Sequence, residues 1–95
     1  MAKIKKAGTL MKHLEKRFEG INCFDRGESG RVYVSAEDGT EIKGMPLADY
    51  YDYPHFDPEE KTHEFGVHRV FKKWVESKGW FIEWENAGCL CLMPN

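Results

Sequence analysis

Residues 57–94 carry the pattern that most narrows what this chain can fold into. They run Asp57-Pro58-Glu59-Glu60, then an apolar stripe of Val67, Val70, Phe71, Trp74 and Val75, then Gly79. Two alternating runs follow, Trp80-Phe81-Ile82-Glu83-Trp84 and Cys89-Leu90-Cys91-Leu92-Met93, joined by Glu85-Asn86-Ala87-Gly88. Apolar residues three and four apart share one face of a helix, whereas strict alternation marks a half-buried strand. A helix running into a hairpin therefore commits most of the large apolar side chains to an interior.

The hairpin register follows from the loop. A three-residue turn, Asn86-Ala87-Gly88, ends in glycine as such turns do and sets Trp84 opposite Leu90 and Ile82 opposite Leu92. Trp80, Ile82, Trp84, Leu90 and Leu92 then face the core, and Cys89, Cys91 and Met93 share the outer face with Phe81 and Glu83. Upstream, Asp57 as cap, Pro58 at the first helical position and Glu60 reaching back form a helix-start signal. Glycine inside a helix costs about 1 kcal/mol, so Gly66 divides the segment into a turn at 58–62 and a helix near 67–78.

In the first half, Thr9 is a candidate N-cap for a helix over about 10–19. Leu10, Met11, Leu14 and Phe18 share its face, and Gly20 takes the left-handed position beyond its end. Residues 1–8 hold Lys3, Lys5, Lys6 and Gly8 and are expected to be a loose basic lead-in. Residues 21–25 make a short strand candidate. In 31–36, Val32, Val34 and Ala36 alternate with Tyr33 and Ser35. A three-residue loop, Glu37-Asp38-Gly39, would pair this strand with the next, Val34 opposite Ile42 and Val32 opposite Gly44, keeping one face apolar. Residues 45–58 are too polar and too interrupted by proline for more than a helical turn at 47–53.

These elements predict one α+β domain over 1–95, with two helices on one face of a mostly antiparallel sheet of about five strands in the order α-β-β-β-α-β-β. Its expected core is Leu14, Phe18, Val32, Val34, Ile42, Val67, Val70, Phe71, Trp74, Ile82, Trp84, Leu90 and Leu92. The order helix, three strands, helix over residues 9–78 resembles double-stranded-RNA-binding domains, with a hairpin appended. That resemblance is one of topology alone. The family's basic signature at the start of its second helix is missing, since Asp57, Glu59 and Glu60 would repel phosphate there.

Fourteen basic residues against sixteen acidic ones give a net charge of −2 and select no partner by sign. Their distribution is uneven, with Lys3, Lys5, Lys6, Lys12, Lys16 and Arg17 at one end and an acidic stretch over 37–60. The opening residues lack the apolar stretch of a secretory signal, and three cysteines is an odd count, so reduced thiols and a cytoplasmic location are expected. No apolar run is long enough to cross a bilayer.

Evidence for catalysis is thin. Cys89 and Cys91 would share a strand face about 6.5 Å apart, too far for an unstrained disulfide, and zinc would need two more ligands. Cys23 with one of His13, His55, His63 or His68 supplies them only by tertiary coincidence. His63 and His68, five apart, fit no metalloprotease spacing. Glycine-rich phosphate loops are absent, and neither cofactor nor metal is expected.

The most distinctive composition is 48–57, where Asp49, Tyr50, Tyr51, Asp52, Tyr53, His55 and Asp57 interleave two-ended aromatics with carboxylates. Interaction surfaces are enriched in such aromatics. The leading expectation is a small non-enzymatic binding or regulatory protein, of the kind phages and other mobile elements carry, that presents this loop to a protein partner. One alternative is a nucleic-acid-binding domain using Lys12, Lys16, Arg17, Arg69, Lys72 and Lys73 on the helices. A further alternative is a small Cys/His metal or thiol protein.

Overall fold

The computed structural model describes residues 3–25, 30–37, 40–50 and 62–95. Helix α1 (Ala7–Arg17) leads to β1 (Cys23–Phe24) and β2 (Val32–Ser35), then to two small hairpins. The first hairpin is β3 (Glu41–Ile42) with β4 (Met45–Pro46), the second β5 (His63–Glu64) with β6 (Val67–His68). Helix α2 (Arg69–Ser77) follows directly, and β7 (Trp80–Asn86) and β8 (Cys89–Pro94) close the chain. The main sheet has four antiparallel strands in the order β1-β2-β8-β7.

Both helices pack on one face of that sheet. Leu10 and Leu14 of α1 and Phe71 and Val75 of α2 join Val32, Val34, Leu90, Leu92 and Trp80 in one buried cluster. Phe18 bridges the helices, its ring edge-on to Phe71 at 5.2 Å and to Trp74 at 5.7 Å. Every expected core residue lies in this cluster or against it, Ile42, Val70, Trp74, Ile82 and Trp84 being partly buried. Tyr33, Cys89 and Cys91 form a second buried cluster on the opposite face, with Met93 against it. The architecture is α+β, as the apolar pattern requires.

The last hairpin has the expected register, Trp84 opposite Leu90 and Ile82 opposite Leu92. It reaches that register by another route. Asn86 pairs with Cys89, and the irregularity lies between Trp84 and Asn86, so the extra residue is Glu85 within the strand. Gly88 is not in the left-handed region. Burial of alternate side chains fixed the pairing, and the turn adapted to it.

The strand pairing expected across Glu37-Asp38-Gly39 is not made among the described residues. Val34 pairs with Leu90 and Val32 with Leu92, while Ile42 pairs locally with Met45. Strand β8 offers β2 two leucines where Ile42 and Gly44 would offer one apolar side chain, and Lys43-Gly44, both at positive φ, turn the chain back first. The three-strand run before the second helix that suggested double-stranded-RNA-binding domains is therefore not one sheet. Segment 45–50 is also more ordered than its composition implied, since Ala48 bridges to Val67.

Other boundaries shift. Helix α1 begins at Ala7 with Lys6 at the cap and no side-chain cap bond, so Thr9 lies inside the helix. Gly20 is left-handed as expected (φ +85°), two residues beyond the cap Phe18. Residues 3–6 are not loose. Ile4 packs on the core, its N–H donates to the Lys78 carbonyl at 3.0 Å, and its own carbonyl accepts from the Trp80 indole at 2.6 Å. The Asp57-Pro58 start signal and the turn at 58–62 fall at residues outside those described or at their margin.

Candidate partner-binding surface

The surface is built on the hairpin β5–β6. Its turn, Phe65-Gly66, has φ of 54° and 79°, the doubly left-handed geometry of a type I′ connection. Glycine is obligatory at the second position for a further reason. A Cβ on Gly66 would stand 2.6 Å from the Asp49 carbonyl oxygen and 3.2 Å from the Trp84 ring. The close approach is used, because the Asp49 N–H donates to the Gly66 carbonyl at 2.8 Å and the His68 N–H to the Leu47 carbonyl at 2.8 Å. Segment 47–49 thus runs beside β6 and ties the hairpin down.

Beneath the turn lie two buried imidazoles. His63 and His68 are directly opposite across the hairpin, ring centroids 5.1 Å apart, and 0% and 5% exposed. The Pro46 carbonyl, which can only accept, lies 2.6 Å from His63 Nε2, so that nitrogen carries the hydrogen. His63 Nδ1 then accepts from the Thr62 hydroxyl at 2.9 Å. His68 Nδ1 accepts from the Val70 N–H at 3.2 Å and is the N-cap of α2. The histidines are structural ties between the hairpin, β4 and the helix start.

Above them the turn displays aromatic surface. Phe65 is 74% exposed and Tyr50 49%. The Trp84 indole donates to the Phe65 carbonyl at 2.7 Å, and the Tyr50 ring stands edge-on to Trp84 at 5.1 Å. The Tyr50 and Trp84 rings and the Phe65 backbone, from three parts of the chain, meet here. Of the expected partner residues, Asp49 is half-buried and Tyr50 exposed at this cluster. Tyr51, Asp52, Tyr53, His55 and Asp57 lie outside the described residues. Phe65 and Trp84 were not expected here. The legible signal for them was Glu64-Phe65-Gly66-Val67, a residue–glycine pair between strand-like flanks, which also sets His63 opposite His68.

The six cations proposed for nucleic acid are divided between α1 and α2. Lys72 Nζ donates to Glu76 at 2.6 Å and lies 3.1 Å from Glu64, and the Glu76 bond foremost holds its pKa above the ordinary lysine value. Arg69 is half-buried, with Nε enclosed and no hydrogen-bond partner among the described residues. Lys12 and Lys73 are exposed on separate helices. Lys16 and Arg17 instead join His13 and Lys78 around the half-buried Trp74, lining a cleft of about 250 Å³. Lys78 Nζ sits 5.4 Å from the Trp74 ring and the Arg17 guanidinium 4.9 Å from that of Phe18.

The cysteines are divided between the two faces of the sheet. Cys23 packs towards the core, while Cys89 and Cys91 lie in the outer cluster. The three form no disulfide. Burial above all, with Glu15 adding to it, pushes the Cys23 thiol up to about 11. Burial likewise raises Cys91, against the lowering influence of Arg31. Neither is an activated nucleophile, which would need a lowered value. Among the described residues no group of three or more His, Cys, Asp or Glu is placed to hold a metal ion, and no helix is long and apolar enough to cross a membrane.

Compared with known proteins, the chain matches no protein-family model, no curated protein and no solved structure.

Proposed function

We propose that this chain is a binding or regulatory protein that engages a protein partner through Tyr50, Phe65 and Trp84, together with the acidic, tyrosine-rich segment 48–57. The observation that carries this reading is Phe65. A large apolar ring, 74% exposed, sits in a backbone conformation that bulky residues adopt only under constraint. Strain of this kind costs on the order of 1–3 kcal/mol and gathers at functional positions. Exposed aromatics beside a polar rim are the usual anchors of protein interfaces. The test is capture of host proteins by the wild type and by Phe65→Ser combined with Tyr50→Ala. Proteins held by the wild type and lost from the variant support the reading; an unchanged set, also after substitution of Tyr51 and Asp52, removes it.

The cleft around Trp74 favours a second reading, contact with a phosphate-bearing strand. Cations around an aromatic ring suit a nucleic-acid backbone with a base against the ring. Retention on RNA or DNA that collapses between about 50 and 200 mM salt, and is lost in Lys16→Ala with Arg17→Ala, distinguishes it from the first.

A further inference from the structure

We infer that the cation-lined cleft around Trp74 is one end of a longer track, and that the track takes a single nucleic-acid strand whose phosphates run on to Lys3 and Lys5. This rests on the second of the proposed readings, contact with a phosphate-bearing strand, and gives that strand its form and course.

The track begins on the last two turns of α1. His13, Lys16 and Arg17 are exposed there and make no ion pair among the described residues. They share their cleft with Trp74 and Lys78 at the end of α2. A second cleft, of about 350 Å³, is lined by Lys3, Lys5, Lys78 and Gly79, so the two adjoin at Lys78. Lys78 is held against the Trp74 ring and makes a further interaction, so it joins the clefts and is not counted as a phosphate ligand. Segment 3–5 is fixed in place. The Ile4 N–H donates to the Lys78 carbonyl and the Ile4 carbonyl accepts from the Trp80 indole, with Lys3 and Lys5 exposed on either side. Gly79, at φ +88°, makes room for Lys3. A Cβ there would stand 3.0 Å from Lys3 Cδ, so the lysine stem lies across the glycine.

Charge selects the ligand. Among the described residues no acidic side chain lines either cleft. Asn95 brings the terminal carboxylate to the second, where Lys3 and Lys5 outnumber it. Glu15 lies instead beside Cys23, where it adds to the effect of burial on the thiol, and Glu64 and Glu76 hold Lys72. In a chain of net charge −2, Lys3, Lys5, Lys16 and Arg17 are thus set apart around one half-buried indole. The described residues that flank 51–61 lie away from it, Thr62 accepting from the Arg69 N–H at the start of α2 and Tyr50 against Trp84. A row of cations follows a phosphate backbone, and an indole among them takes a base that is free to stack. A duplex keeps its bases inside and would meet only the rim.

The probes are a labelled thymidine octanucleotide, a hairpin duplex and polyglutamate, bound to the whole chain and read by fluorescence anisotropy between about 50 and 200 mM salt. With one phosphate on each of Lys3, Lys5, Lys16 and Arg17, log K for the octanucleotide should fall against log salt with a slope of about −3. Lys3→Gln with Lys5→Gln keeps the side-chain stems. It should weaken binding about tenfold or more and bring the slope to about −1.5. Lys16→Ala with Arg17→Ala should do at least as much. Octanucleotide binding and slope untouched by the Lys3 and Lys5 changes, but lost with Lys16 and Arg17, would overturn the track and leave the second reading standing. Binding indifferent to Lys16 and Arg17, or none at about 50 mM salt, would defeat both. Duplex or polyglutamate bound as tightly as the octanucleotide would overturn the single strand as ligand.

Discussion

The hairpins on either side of α2 make opposite use of similar parts. In β7–β8, alternate side chains vanish into the core and the turn bends to suit them, absorbing Glu85 as an irregularity. In β5–β6, two residues per strand bury little beyond two imidazoles and Val67, and the turn dictates the structure, holding Phe65 out in the solvent. Each is fastened by an indole. Trp80 donates to the Ile4 carbonyl and Trp84 to the Phe65 carbonyl. Where apolar burial sets the register, a fold is secured; where turn chemistry sets it, a side chain can be displayed.

The sharpest way to break that contrast is to remove the burial. Trp80→Ala should cost about 3–5 kcal/mol, the usual penalty for truncating a buried aromatic, and should release residues 3–6, seen as faster amide exchange at Ile4. A loss below about 1 kcal/mol would show that the hairpin does not depend on this side chain. The same interior is reported by Cys23. Raised from 9.0 to about 11, its thiol should alkylate about a hundredfold more slowly at pH 8 than an unshifted one. Here the neutral form is the favoured folded form. Its contribution is therefore whole below pH 9.0, the unshifted value, and falls away as pH rises through about 11. Alkylation as fast as in the denatured chain would mean that α1 does not cover β1.

In the turn-governed hairpin the largest effect belongs to Gly66→Ala, which adds a left-handed penalty to a backbone clash with Asp49. The sum is about 2–4 kcal/mol, expected as local loosening of 47–49 and β5–β6 before global unfolding. Next comes His68. Its ring caps α2, so His68→Ala should cost about 1–2 kcal/mol, while His68→Asn, which restores a cap acceptor, should cost less. Equal losses from both would assign the cost to burial rather than to the cap.

How far the sequence was legible follows the same division. Turn chemistry and alternation in 80–93 together placed the final hairpin in its register, since a one-residue slip would have exposed Ile82, Leu90 and Leu92 together, but the expected loop was one residue too long, Asn86 being part of the strand. The apolar stripe placed α2 to within two residues for the same reason. Non-local choices were not legible. That Val34 would take Leu90 rather than Ile42 as its neighbour depends on a competition between strands far apart in sequence, and local turn rules are silent on it. Lys6 caps α1 without a side-chain bond, so no residue type announces that helix start. For the candidate site, composition points to Asp49 and Tyr50, whereas Phe65 and Trp84 enter only through the three-dimensional pairing. The clue present in the sequence, glycine after Phe65, marks a break between a turn and a helix as readily as the middle of a hairpin.

The finest test of the contrast is Phe65→Asn, because stability and display should move in opposite directions. Asparagine tolerates the left-handed conformation that phenylalanine resists and is favoured in turns of this type. With 74% of the ring in solvent, little packing is lost on replacing it. The Trp84 bond is to the Phe65 carbonyl and survives the substitution. The variant should therefore be about 0.5–1 kcal/mol more stable, raising the melting temperature by about 2–6 °C, while protein capture falls. A hairpin selected for stability alone would already carry the better turn residue. If Phe65→Asn instead lowers the melting temperature, the ring is packing and not display, and Phe65 belongs with Trp80 on the other side of the comparison.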